Sequence, residues 1–417
     1  MDIQFTINPA DRLSTLPSEL LDQIFEGCAS WPEETICVPL SRRLLPYYLR
    51  AKFTRVHFDE SLTVGRFVDV FNARPAIRET MRELSIRQGA VGGGMEDVTA
   101  ILLSLSPLPN VSTLSLSLFY DIDLDSEEVD DYLTPEDLNF GYSHSPHWFL
   151  TGLIRRALPS VENLHLEVKP LHESDSITSF SLAPIHDLPF RSITVALRRF
   201  DHLADSAAFQ DAALEVLFRG ADFPRVESLT VTGFGIADRA VAANLLGSCQ
   251  RLPRLRHLYF EELAHDPHPQ AVLKTLDRSL ESLCIRGHEA DFTFSDLPTK
   301  VDHLLPSMRA ASTLTRLALS TFSFENSTLI ENLAKLPALE IFEVDGYSNT
   351  LPNDLLLGLL DLPHLRRLDL QLYWPIPGEE ARGRAVMRQL LEKAKAKGIE
   401  VRGHALEQLR KAGLLEW

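Results

Sequence analysis

The chain has 417 residues, 45% hydrophobic and 24% charged, a balance that supports a large buried core and excludes intrinsic disorder. Its 41 Lys and Arg against 58 Asp and Glu leave a formal net charge of −17, which excludes a general affinity for nucleic acid or anionic membranes, since both need excess base. Cys28, Cys37, Cys249 and Cys284 have neither metal-ligand spacing nor the density of a disulfide scaffold, Met1 to Gln4 is neither basic nor apolar, and no long apolar run follows, so the expected setting is the cytoplasm or nucleus.

The first predicted element is Leu16-Pro17-Ser18-Glu19-Leu20-Leu21-Asp22-Gln23-Ile24-Phe25, with proline at a helix's first position and Glu19 in its first turn. Apolar residues at 20, 21, 24, 25 and 28 form one broad stripe. Leu40, Leu44, Leu45, Tyr48 and Leu49 make a second apolar set, which Pro46 interrupts, predicting two short helices. Arg42, Arg43, Arg50, Lys52 and Arg55 form a basic run, readable as a solvated helix face or as a lure for an acidic partner. From the residues alone, the segment is a hydrophobic cap shielding whatever follows.

The same residues resemble the F-box. Its opening pattern L-P-x-E-[LI]-[LI]-x-x-I-[FL] is matched from Leu16 to Phe25, and its L-x-S-R-x-L half more loosely by Leu40-Ser41-Arg42-Arg43-Leu44. The resemblance implies an F-box-like helical domain over residues 1–52, in which Leu16, Pro17, Leu20, Leu21, Ile24, Phe25 and Leu40 dock on a Skp-type adaptor joined to a cullin scaffold.

From residue 53 one loose pattern, L-x-x-L-x-L, recurs: Phe53-Val56-Phe58, Met81-Leu84-Ile86, Val111-Leu114-Leu116, Val161-Leu164-Leu166, Phe190-Ile193-Val195 and Val226-Leu229-Val231. It continues as Leu255-Leu258-Phe260, Leu280-Leu283-Ile285, Leu314-Leu317-Leu319, Leu339-Phe342-Val344 and Leu365-Leu368-Leu370. In each copy the last two apolar positions alternate, so one face of a short strand is buried and the other open. Prolines at 109, 159, 224, 253, 337 and 363 stand just before many copies and mark where a helix stops. Amphipathic stretches lie between them, at 97–105, 148–158, 207–218, 240–252, 301–308 and 385–394.

The expected fold is therefore α/β, a leucine-rich-repeat solenoid (horseshoe) of about eleven irregular repeats over residues 53–401. It resembles F-box leucine-rich-repeat proteins. A doubly wound sheet would need strands apolar on both faces, whereas these are polar at every second position. The final stretch predicts a helix over 379–397, a strand at 399–401 and a C-terminal cap over 402–417.

Several constellations carry no chemistry. Asp121 to Glu127 imitates half a calcium loop but has Ser126 where glycine is needed and Tyr132 where a glutamate belongs, so the acidic stretch 121–137 reads as a surface insertion. Gly92-Gly93-Gly94 lacks a following Gly-Lys-Ser or Gly-Lys-Thr, and His144, His147, His265 and His268 lack converging ligands. No nucleophile elbow, zincin helix, kinase set or dinucleotide fingerprint occurs, so no catalytic residue, metal or cofactor is expected.

A protein target is expected on the open strand face, which carries Ser85, Ser115, His165, Thr194, Thr230, Tyr259, Cys284, Ala318, Glu343 and Asp369. Glu261, Glu343, Asp345 and Asp369 suggest a negative wall toward the C-terminal end, suited to a basic element of the target. Phe119, Phe234, Phe322, Tyr347 and Tyr373 recur at the offset of buried turn packing, while Tyr120 and Trp374 are candidate rim anchors.

Overall fold

The computed structural model describes residues 17–18, 20–21, 44–58, 72–73, 75–87, 107–118, 154–168, 182–197, 218, 222–232, 249, 251–263, 280–287, 312–320, 328–347, 353–373 and 380–411. They fall in two compact units, one of Met1–Leu171 with Pro184–Phe190, the other of His172–Ala183 with Arg191–Trp417.

The first unit opens with Pro17, Ser18, Leu20 and Leu21, where the Leu21 amide donates to the Pro17 carbonyl at 3.1 Å. Helix α1 (Leu45–Thr54) follows, matching the second of the two helices expected around Pro46, while the stretch expected to hold the first lies outside the described residues. Pro46 sits in its first turn, where a missing amide costs nothing because no partner carbonyl exists there. The helix also runs past the boundary drawn at residue 52, ending where Arg55 turns extended and starts β1 (Arg55–Phe58). Next come α2 (Pro75–Thr80), β2 (Glu83–Arg87), β3 (Thr113–Leu118) and β4 (Asn163–Val168). These four strands are parallel, and the apolar centres stack as Val56, Leu84, Leu114 and Leu164.

The second unit holds β5 (Ser192–Leu197), β6 (Ser228–Thr232), β7 (His257–Leu263), β8 (Ser282–Gly287) and β9 (Arg316–Ser320). Helix α3 (Thr328–Leu333), β10 (Ile341–Tyr347), α4 (Asn353–Leu359), β11 (Arg367–Tyr373), α5 (Glu380–Lys397), β12 (Glu400–Arg402) and α6 (His404–Lys411) complete it. All eight strands are parallel, and their centres stack as Ile193, Leu229, Leu258, Leu283, Leu317, Phe342, Leu368 and Val401. Each of the eleven predicted copies is a strand with its central residue in its own unit's column, four in the first unit and seven in the second. The expected strand at 399–401 is observed as β12, and the expected final helices as α5 and α6.

Alternation explains the layering. Leu229 and Val231 of β6 are buried while Ser228, Thr230 and Thr232 are half-buried, and β2, β3, β4 and β5 repeat this, whereas Ala318 of β9 and Asp369 of β11 are buried on the open face as well. Burying each such leucine contributes roughly 2 kcal/mol, which one strand cannot collect without its neighbours.

The backbone sets the register. At most centres the carbonyl two residues before accepts two amides from the next repeat: Arg256 takes Glu281 and Ser282 at 2.9 and 3.0 Å, Glu281 takes Thr315 and Arg316 at 2.9 and 3.1 Å, and Glu340 takes Arg366 and Arg367 at 2.8 and 3.0 Å. The prolines do more than end helices. In Leu108-Pro109-Asn110-Val111 the Val111 amide returns to the Leu108 carbonyl at 3.4 Å, which puts Pro109 at the second position of a β-turn, the site its fixed φ favours. The same turn closes from Leu158 to Val161, Phe223 to Val226, Leu252 to Leu255 and Leu336 to Leu339.

A one-faced parallel array of this kind fits a leucine-rich-repeat solenoid. Among the described residues no helix is long and apolar enough to cross a membrane.

Candidate functional site

Within the first unit, the open face carries His57, Ser85, Ser115 and His165 in one cross-strand row, with Arg55, Glu83, Thr113 and Asn163 in the row beside it. Arg55 pairs with Glu83 at 3.1 Å, and the Asn163 amide donates to the Thr113 hydroxyl at 3.4 Å. His165 is half-buried; burial lowers its imidazole pKa, while Glu83 pulls weakly the other way. The row thus offers hydroxyls and an imidazole inclined to stay neutral.

Within the second unit, the equivalent row runs Thr194, Thr230, Tyr259, Cys284, Ala318, Glu343, Asp369 and Arg402. Tyr259 and Cys284 are half-buried. Alongside it runs Arg316, Ile341, Arg367 and Glu400. Of the four carboxylates expected to form a negative wall, Glu343 and Asp369 are engaged. Arg316 donates to Glu343 at 2.8 Å, and Arg367 grips Asp369 through Nε at 2.8 and 2.9 Å and through Nη2. Asp369 is almost completely buried, and its hydrogen bond to Arg367 raises that guanidinium's pKa further. Arg402 closes on Glu400 at 2.6 Å.

Arg316, Arg367 and Arg402 were missed by sequence reasoning, which followed the open face from the residue after each centre onward and not one step before it, and which ended the last strand at residue 401. The signal was present: the same period of two, followed one step back from Ala318 and Asp369, lands on Arg316 and Arg367. Glu261 and Asp345 occupy backbone positions opposite Arg286 and Gln371, with their side chains outside the described residues. Tyr120 and Trp374 lie outside the described residues too, as does the acidic stretch 121–137.

No family model matches the chain, and no curated relative does. Among solved structures, a leucine-rich-repeat protein of Leptospira interrogans is similar over 79% of this chain and 74% of its own, at 15% identity and a TM-score of 0.28. That likeness is too weak to bear weight; the fold rests on the stacked register of the strands.

At the N-terminal segment, the two adjacent leucines diverge. Leu21 is completely buried with Leu44, and Tyr47 and Tyr48 pack against the pair. Leu20 is 45% exposed, beside exposed Pro17 and Ser18. Leu21 therefore spends its surface on the segment's own core, while Pro17 and Leu20 face outward. Leu16, Ile24, Phe25 and Leu40 lie outside the described residues.

Proposed function

We propose that the chain is the target-recognition subunit of a cullin-type ubiquitin ligase, acting in the cytoplasm or nucleus without catalytic residues of its own. The N-terminal segment docks on a Skp-type adaptor, and the open face of the repeats holds a protein target near the ligase's other subunits. The observation supporting this is Leu20: among the described residues it is the one large hydrophobic side chain left exposed, at a position the F-box pattern assigns to the adaptor. A cap meant only to shield the first repeat would turn its leucines inward, as Leu21 is turned.

Co-purification tests it. Wild type should retain the adaptor, and Leu20→Asp should lose it with an unchanged melting temperature. Leu21→Asp should instead fail to fold, because it places a charge in the Leu44 and Tyr48 cluster. Retention of the adaptor by Leu20→Asp at the wild-type level would overturn the reading. The open face by itself favours a second reading, a repeat scaffold that binds proteins without an adaptor, and that outcome would select it.

A further inference from the structure

The open face at β9 to β11 has an order of charge that sequence alone hides: carboxylates inside, guanidinium groups outside. Arg316 is 48% exposed against 23% for Glu343, and Arg367 is 30% exposed against 4% for Asp369. Arg402 and Glu400 are both near half-exposed, at 55% and 52%. Each acid orients its arginine and accepts only part of that group's five N–H donors: Arg316 spends Nη2, Arg402 spends Nε, and Arg367 spends Nε and one Nη2 hydrogen. These bonds leave further N–H donors on each arginine. Arg316 and Arg367 share a row with Ile341 between them, two strand spacings or about 10 Å apart, and Arg402 sits diagonally one strand beyond Arg367.

We infer that this end of the open face receives an acidic peptide segment of the target, its carboxylates pairing with the remaining donors of Arg316, Arg367 and Arg402. The physical reason is range. The three arginines and three acids cancel at a distance, and the chain's charge of −17 repels anions, so long-range steering contributes nothing. At contact, a ligand carboxylate meets guanidinium N–H groups already held in place, while Glu343 and Asp369 are less exposed than the arginines they bind. A basic segment would meet the same outer layer of guanidinium groups, and to reach Asp369 it would have to displace Arg367 from a buried pair, which is costly. Ile341 supplies an apolar floor between the two arginines for the aliphatic stems of Glu side chains.

The inference rests on the reading that the repeats bind a protein, but it can fail alone. Fluorescein-labelled decaglutamate and decalysine are titrated into the full chain by fluorescence anisotropy. Decaglutamate should bind, decalysine should bind at least tenfold more weakly at this face, and Arg316→Gln with Arg402→Gln should weaken decaglutamate at least tenfold. Arg402→Gln alone, whose partner Glu400 is exposed and leaves no buried charge behind, should cost at least threefold and guards against misfolding of the double variant. Absence of decaglutamate binding, tighter binding of decalysine, or unchanged affinity in Arg402→Gln would overturn the assignment. Adaptor capture would be unaffected by any of these results.

Discussion

A methyl group on Gly403 would sit 2.0 Å from the carbonyl oxygen of Leu370, and the residue's φ of +120° is one that side-chain-bearing residues rarely adopt. Both facts follow from its place: β12 ends at Arg402, in register with Asp369, and the chain must pass against β11 before α6 begins. Gly403→Ala should therefore cost at least about 2 kcal/mol, since the strained φ and the backbone clash add, and should lower the urea midpoint clearly. Gly358 offers the contrast, because its added methyl meets only the flexible end of Ile330. His165 is a second single-residue case. Its folded pKa lies below the usual 6.5, so its stabilising effect is present above pH 6.5 and is lost as pH falls through the lower folded value. His165→Gln should flatten the decline of melting temperature between about pH 7 and 5. An unchanged slope would assign that decline to other groups.

At the level of elements, α4 and α5 are tied by a clamp built on unsatisfied helix ends. The last carbonyls of a helix have no amide of their own, and Lys393 and Lys397 supply donors, reaching Leu357 O at 2.9 Å and Leu360 O at 3.0 Å. Both ammonium groups also reach Asp361, at 2.8 and 2.6 Å. Lys393 first, and then Lys397, hold the Asp361 carboxyl below the usual carboxylate range. A depressed carboxylate stabilises above its unfolded pKa and loses that effect as pH falls through the folded one. Asp361 is more than half exposed, so Asp361→Asn should cost no more than ~1 kcal/mol at pH 7. The gap between the denaturation curves of variant and wild type should narrow as pH falls below the usual carboxylate range, because the wild-type carboxylate then takes up its proton and loses the effect. At this same end α5 stops in a paired bond, Ile399 N to Ala394 O at 2.9 Å and Gly398 N to Lys395 O at 3.2 Å, with Gly398 at φ +69°. This glycine turns the chain directly into β12.

For the whole molecule, the strands were legible because a period of two is short: three apolar residues in each copy suffice to place it, and the centres from Val56 to Leu368 all landed in their columns. The helices at Pro75–Thr80, Thr328–Leu333 and Asn353–Leu359 were missed because six or seven residues barely complete two turns, too few to establish a period of 3.6. Of the site, alternation told which residues face outward but not what each one touches. It could not show Arg367 folding back two residues onto Asp369, nor Leu20 and Leu21 parting company, since both depend on neighbours rather than on spacing.

The doubly accepting carbonyls have a consequence for how such a chain can change over time. Because register is carried by main-chain groups, it is indifferent to the length of what lies between strands, and the step from one centre to the next is 25 residues from Leu317 to Phe342 but 50 from Leu114 to Leu164. Extra loop length costs only about 0.6 kcal/mol per doubling. Insertions can then accumulate in any one interval, and outward residues can be exchanged strand by strand, while the spine that aligns them stays the same. The chemistry of the open face is thereby freed to diverge much faster than architecture.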